Sequence, residues 1–326
     1  MDYVLVATLG PSSDAESVWE AMLAAGVTGF RLNTSHLSIP ELHSWLDRLS
    51  TFTASRNLKP ALILDLQGSK WRLGNFSPFV LSPGQQVTLI CSAATNHPRL
   101  LPVPHADFFQ AALESTGEIT LDDARIYLCI ESAGSDSLCA RVTTGGEIVP
   151  RKGITFTAST YRHESLDEKD QMILQQTRHL DGIRYALSYV KDAVEMARYR
   201  GIFGRSACLI AKLERASAVA EARPIAGLAD ELWLCRGDLG AELGARAMAE
   251  TVYRFTDLVR GLPVPVLLAG QVLEHMSEHL TPTRSEVCYL HDALIKGYRG
   301  VVLSDETAIG RYPVESCRVA TLFRTR

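Results

Sequence analysis

No stretch of about 18 apolar residues occurs in the 326-residue chain, which excludes a membrane-spanning helix. An excess of one charge is missing too. The 33 basic and 37 acidic side chains are interspersed to a net charge of −4, so neither nucleic acid nor an anionic membrane is an expected partner. Cys-x-x-Cys pairs are absent. The 7 cysteines are odd in number and scattered, and Cys91, Cys129, Cys208 and Cys235 sit inside apolar runs. That pattern predicts buried thiols in a reducing compartment. Met1-Asp-Tyr-Val4 shows no basic segment leading into an apolar one, so no signal peptide is expected and the cytoplasm is the expected location. No low-complexity tract appears, and no repeat shorter than a strand–helix unit.

Apolar runs of four to six residues alternate with longer segments of helical period, the pattern of βα units and a parallel sheet. Strands are predicted near residues 3–9, 28–33, 61–66, 182–187, 207–213, 231–235, 264–269 and 299–303. The length suits one (β/α)8 barrel with a modest insertion, or two domains. Ser13-Asp-Ala-Glu16, Ser165-Leu-Asp-Glu168 and Thr283-Arg-Ser-Glu286 read as capping boxes that open helices, and Gly26 is placed to end the first. The gap between the third and fourth strands is too long for one helix. It holds alternating segments, among them Gln86-Val-Thr-Leu-Ile-Cys91, Glu118-Ile-Thr-Leu121, Arg125-Ile-Tyr-Leu-Cys-Ile130 and Leu138-Cys-Ala-Arg-Val142. Turn signals at Ser82-Pro-Gly84, Ser135-Asp136 and Gly145-Gly146 separate them. The expected fold is therefore α/β: a TIM barrel over 1–67 and 155–326, with a small β-rich lid domain over 68–154 inserted after the third strand.

Chemistry-bearing residues follow the apolar runs again and again, which is how a barrel assembles a site at the carboxyl ends of its strands. Lys212 and Glu214 follow Cys208-Leu-Ile-Ala211, and their i, i+2 spacing puts both on one face of a strand. A buried ion pair is one reading of them. The other gains from Arg236-Gly-Asp238-Leu-Gly240, which brings a second carboxylate from the next strand. Two carboxylates from neighbouring strands suit a hard divalent ion that keeps positions open for substrate oxygens, as magnesium does. Lys212 would then face negative charge developing on a substrate oxygen or phosphoryl group. Gly237 and Gly240 flank a helix start, where free N–H groups favour an anion such as a substrate carboxylate. Arg31 suits bidentate phosphate binding. Asn33, Ser35 and Asp65 offer oxygens for a monovalent cation or a hydrated metal, and His36 is either part of this site or an ordinary loop histidine.

In order along the chain these segments resemble the pyruvate kinase family. Val6-Ala-Thr-Leu-Gly-Pro-Ser-Ser13 is similar to the family's Cys-Thr-Ile-Gly-Pro-Ser-Ser, and Arg31-Leu-Asn-Thr-Ser-His36 to Arg-Leu-Asn-Phe-Ser-His. Ile210-Ala-Lys-Leu-Glu214, Arg236-Gly-Asp-Leu-Gly240, Pro282-Thr-Arg-Ser-Glu-Val287 and Leu303-Ser-Asp-Glu-Thr-Ala308 have counterparts in the same order, as do Asp122-Asp123 and the Lys152-Gly153 step. The resemblance implies that Glu214 and Asp238 hold magnesium (or manganese) and that Lys212 stabilises the phosphoryl group and the enolate. It implies phosphate binding by Arg31, Arg72 and Lys152, with Asp123 closing from the lid. Gln271 joins the catalytic set, while Gly237, Gly270, Ser304 and Glu306 line the substrate with Arg72 and Asp238. Pro11, His36 and Lys152 border the nucleotide, and Asn33, Ser35 and Asp65 form a monovalent-cation site.

Departures from the family pattern bear on the reaction. Ala269-Gly270-Gln271 replaces Ala-Thr-Gln and removes a hydroxyl that assists proton delivery to the enolate. Ser304-Asp305-Glu306 replaces Ser-Gly-Glu, and Ile309 stands where the family has a nucleotide-side lysine. Asp65-Leu-Gln-Gly-Ser-Lys70 carries Lys70 in place of a glutamate that accompanies potassium dependence, so potassium is not expected to be required and Asn33, Ser35 and Asp65 become partners for Lys70. The chain stops at Arg326, where the family continues into a regulatory domain, so a monomer or homodimer is expected. Two activities remain open on these residues. One is phosphoryl transfer between phosphoenolpyruvate, or a related enol phosphate or 2-oxo acid, and a nucleotide. The other is a magnesium-dependent lyase or decarboxylase that works on a 2-oxo acid through an enolate without a nucleotide.

Overall fold

Continuous apolar runs, buried on both faces, build the parallel strands. The structure, a computed structural model, describes residues 1–68, 71–114, 117–122, 125–156 and 166–325. Three strands come first: β1 (Val4–Leu9), β2 (Gly29–Asn33) and β3 (Ala61–Leu66). Eight further strands follow: β4 (Phe79–Leu81), β5 (Gln86–Ile90), β6 (Leu100–Pro102), β7 (Glu118–Leu121), β8 (Ile126–Ala133), β9 (Ser137–Thr144), β10 (Gly146–Ile148) and β11 (Ile154–Phe156). The parallel pattern resumes with β12 (Ile183–Leu187), β13 (Cys208–Leu213), β14 (Glu231–Cys235), β15 (Val266–Ala269) and β16 (Gly300–Leu303). β1–β3 and β12–β16 close into an eight-stranded barrel in the order β1-β16-β15-β14-β13-β12-β3-β2, as the sequence predicts. By chain contacts there are two units: 1–68 with 166–236 and 251–326, and 69–165 with 237–250.

Alternation along each strand sorts the barrel interior into layers. Val6, Ile63, Ala186, Ile210, Trp233, Leu267 and Val302 form an apolar layer. Two residues further along the same faces stand Thr8, Asp65, Ser188 and Lys212, buried and polar. Trp233 is the largest side chain inside the barrel, and its indole N–H donates to Glu231 Oε1 at 2.5 Å. Burial raises the Glu231 carboxyl pKa, while the Trp233 hydrogen bond and Arg184 act the other way.

Local signals at the helix ends were legible in part. Helix α1 (Glu16–Ala24) begins without a side-chain cap. The expected box at Ser13 does not form, because a 3-10 turn over Pro11–Ser13 takes that serine, whose hydroxyl accepts the Gly10 N–H at 3.1 Å. Gly26 follows the helix at φ 102°, in the left-handed region expected of it. Helix α2 (Ile39–Arg56) opens with a Ser38–Glu41 capping box that the sequence reading did not single out. The Thr283–Glu286 box does open the helix Arg284–Lys296. Ser165 lies outside the described residues, and the cap of the helix Glu168–Thr177 is Asp167.

In the second unit a six-stranded sheet runs β11-β7-β8-β9-β5-β6, beside the pair β10-β4. It also carries helix α3 (Ala106–Glu114), which the alternating pattern did not reveal. Phe108 and Phe109 are buried there, and the Phe108 ring stacks on Phe156 at 4.7 Å and meets Trp71 edge-on at 5.4 Å. The expectation of buried thiols holds for Cys235 and is corrected elsewhere: Cys91 and Cys129 are exposed and Cys208 half-buried. Cys129 falls on the solvent side of β8, where alternation sends every second side chain outward.

Candidate active site

β13 presents Ile210 and Lys212 on one face, with Glu214 just past its end, and Lys212 and Glu214 join a network with residues from the ends of four other strands. Lys212 Nζ lies 2.9 Å from Glu214 Oε1, 3.1 Å from Asp65 Oδ1 and 2.8 Å from Ser188 Oγ. Asp65, at the end of β3, receives Arg31 on its other oxygen: Nε and Nη2 both stand 2.6 Å from Oδ2. Arg31 Nη1 donates to Thr8 Oγ1 at 2.8 Å, and the Thr8 hydroxyl donates to the Leu303 carbonyl at 2.7 Å. Ser188 Oγ donates to the Leu66 carbonyl at 2.7 Å and lies 3.1 Å from Asp65 Oδ1. Glu214 Oε2 accepts the Tyr189 N–H at 2.8 Å, at a residue with φ 62°. The four charges alternate, Arg31–Asp65–Lys212–Glu214, and cancel.

Each of these groups is at least nine-tenths buried, so the charge pattern governs protonation. Burial alone drives the Asp65 carboxyl up, but the Lys212 and Arg31 charges outweigh it and hold the pKa below the ordinary carboxylate value. For Lys212 burial acts downward, and Asp65 and Glu214 overcome it, so the pKa stands above that of an ordinary lysine. Lys212 keeps its proton across the neutral range. Its charge is therefore that of a fixed cation in this layer.

Other expected site residues are distributed differently. Asn33 Oδ1 caps its own turn by accepting the Ser35 N–H at 3.2 Å, Ser35 is buried, and His36 is exposed at the end of that turn. Pro11 is exposed in the first 3-10 turn. Gly270 and Gln271 both have positive φ, 79° and 54°, and their carbonyls accept the Arg236 guanidinium at 2.6 and 2.8 Å. Ser304 donates its N–H to Glu306 Oε2 at 2.7 Å, and the Leu273 N–H donates to Oε1 at 2.9 Å. Glu306 is fully buried, so its carboxylate binds two loops to each other. Burial raises the Glu306 pKa against those N–H donors. Gly237 and Asp238 fall in the first turn of the helix Arg236–Leu258, which is interrupted at Gly244.

In the second unit Lys152 Nζ pairs with Asp122 Oδ1 at 2.6 Å, and Arg72 Nη1 donates to the Arg151 carbonyl at 3.2 Å. Asp123 and Lys70 lie outside the described residues. Sequence reasoning missed Ser188 and Thr8. The signal was available: each stands two residues beyond an inward-facing barrel residue, Ala186 and Val6.

Glu214 and Asp238 each offer only oxygen, the donor chemistry that a hard divalent ion takes. Among the described residues no group of three or more His, Cys, Asp or Glu is placed to hold a metal unaided. Substrate and water oxygens would complete the shell, which is how magnesium is usually held. No helix among the described residues is long and apolar enough to cross a membrane.

The family model "Pyruvate kinase, barrel domain" matches residues 2–317. A pyruvate kinase of Methylorubrum extorquens is 31% identical over 314 residues, covering 96% of this chain and 66% of that protein. One from Aeropyrum pernix is 31% identical over 316 residues, covering 96% and 68%. Another, from Mycobacterium tuberculosis, is 27% identical over 319 residues, covering 96% and 67%. The chain thus spans about two thirds of the length of these relatives. With a barrel-domain match running over nearly its whole length, the chain belongs to the pyruvate kinase family.

Proposed function

We propose that this chain is a phosphotransferase of the pyruvate kinase type, moving a phosphoryl group between phosphoenolpyruvate, or a related enol phosphate, and a nucleotide. The observation that carries the reading is the buried alternating charge layer at the carboxyl ends of the strands. A cation as deeply held as Lys212, protonated at neutral pH and fixed by Asp65, Glu214 and Ser188, is preorganised to meet charge that develops on a phosphoryl or enolate oxygen. Arg31 supplies a planar guanidinium for phosphate oxygens, and Asp65 and Thr8 fix its plane. Both cations keep their carboxylates as anchors, so a phosphoryl group would meet guanidinium and ammonium groups already fixed in place.

A divalent ion at Glu214 and Asp238 would neutralise phosphoryl and enolate oxygens. Glu214 comes from the end of β13, and Asp238 from the first turn after β14. Arg72 and Lys152, with Asp123, make up the phosphate contacts assigned to the inserted unit, and Pro11 and His36 border the nucleotide. Gly237, Gly270 and Ser304 line the substrate, and Gln271 assists at the reacting end. Phosphorus NMR of the protein with magnesium, phosphoenolpyruvate and ADP, and in the reverse direction with ATP and a panel of 2-oxo acids, tests the reading. Transfer in either direction supports it. No phosphorus exchange in any combination would overturn it.

A further inference from the structure

The chain leaves the barrel unit after Gly68 and re-enters it at Leu166, and both ends are held by the first turn of one helix. That helix, α4 (Glu168–Thr177), is capped by Asp167, whose Oδ1 accepts the Asp170 N–H at 2.7 Å and whose Oδ2 accepts Gln67 Nε2 at 2.8 Å. Asp170 is completely buried. Its two oxygens accept the backbone N–H groups of Gln67 and Gly68 at 3.0 and 2.8 Å. On the returning side Gln171 Nε2 donates to the Leu166 carbonyl at 2.9 Å. The Gly68 backbone lies against Ser188: φ is +66°, and a Cβ there would stand 2.4 Å from the Ser188 carbonyl oxygen. Ser188 in turn touches Lys212 Nζ and Asp65.

We propose that Asp170 is a positioning residue of the phosphotransfer site, gripping through Gln67 and Gly68 the turn against which Ser188, and through it Lys212, is seated. The proposal rests on the phosphotransferase reading given above. An ionised carboxylate accepts both N–H groups at once, while a protonated one must turn an O–H donor toward one of them. Burial and then the neighbouring Asp167 charge push the Asp170 carboxyl up to about 7, against the pull of the Gly68 and Gln67 N–H groups and Lys169. The charged and titratable groups around it are Asp167 and Lys169 at the start of α4, and Tyr199 and Glu195 from α5 (Ala193–Phe203), where Tyr199 donates to Glu195 at 3.0 Å. The grip is therefore set above neutral pH, half released near pH 7 and lost as the solution is acidified further.

The test uses the full chain. With aspartate carbons labelled, the Asp170 carboxyl resonance and the Gln67 and Gly68 amide shifts should titrate together, with a midpoint near pH 7. The kcat with phosphoenolpyruvate, ADP and magnesium should fall several-fold from pH 8 to pH 6 toward an acid plateau, with KM nearly constant, as expected when a reacting group is slightly misplaced. In Asp170→Asn the two amides should no longer titrate, and kcat should sit at the low acid plateau throughout. Amides in the wild-type chain that do not follow Asp170, or an acid limb retained in full by Asp170→Asn, would overturn the proposal. The wild-type titration needs no variant to fold. If no turnover is found, the phosphotransferase reading fails, while the amide titration still decides whether Asp170 governs the turn.

Discussion

Replacing Asp65 by asparagine is the sharpest probe of the charge layer, because it removes one charge and almost no volume. In the native chain Arg31 holds Oδ2 with two nitrogens at 2.6 Å, and Lys212 lies 3.1 Å from Oδ1. An asparagine amide must turn its NH2 toward one of these cations, so a donor faces a donor whichever way it flips. Arg31 loses the charge of the carboxylate it grips with two nitrogens, while Lys212 keeps Glu214 at 2.9 Å. Breaking a buried pair by removing one partner costs about 3–5 kcal/mol, and side chains only 2–10% exposed leave little room for solvent to screen the loss. The pH dependence follows from the direction of the shifts. Asp65 is held below its ordinary value of 3.8, so its contribution is fully present above that value and disappears as pH falls through the lower folded one. Lys212 is raised above 10.5, so its share is present below that value and is lost as pH rises through the folded one. Urea unfolding of wild type and Asp65→Asn should therefore differ by a constant amount across the neutral range, with the gap narrowing below pH 3.8. A difference under about 1 kcal/mol at pH 7, the worth of an exposed pair, would refute the reasoning.

Glu214→Ala and Asp238→Ala should each abolish magnesium binding in calorimetry while far-UV circular dichroism stays native, and unchanged affinity in both would sink the metal assignment. Turnover should be similar in potassium, sodium and tetramethylammonium buffers of equal ionic strength. Asp65 already holds Arg31 and Lys212, and Asn33 already caps its own turn, so these oxygens have protein partners. A large stimulation specific to potassium contradicts that expectation. Gly68→Ala should destabilise the chain by about 1–3 kcal/mol, since a side chain must enter the left-handed region 2.4 Å from a carbonyl oxygen. It should also lower kcat more than it raises KM, and a variant with native stability and turnover would rule out the close seat of Gly68 on Ser188.

The barrel was readable because its strands are largely buried on both faces and so appear as short, mainly apolar runs. Lys212 and Glu214 were readable for a related reason: two charges spaced by two at the end of such a run share its inward face. The Asp65–Lys212 contact was not, since it joins residues 147 apart across an intervening strand, and nothing local in either segment encodes it. Asp170 looked like an ordinary acid in the first turn of a helix, and its true partners lie 102–103 residues earlier. The failed cap at Ser13 shows competition at short range: the residue had the right chemistry for a helix box, but the Gly10-Pro11 turn claimed it first. In the inserted unit α3 went unread although Phe108, Phe109, Ala111 and Ala112 stand at helical spacing, because that one short helix lies among alternating strand segments.

The strict alternation inside β13 has a consequence for inheritance. Loss or gain of a single codon between Leu209 and Leu213 would rotate every later side chain to the opposite face, carrying Lys212 and Glu214 out of the barrel together while leaving the composition of the strand almost unchanged. Descendants of this chain can therefore exchange residues along β13, but its frame of alternation has to be inherited whole.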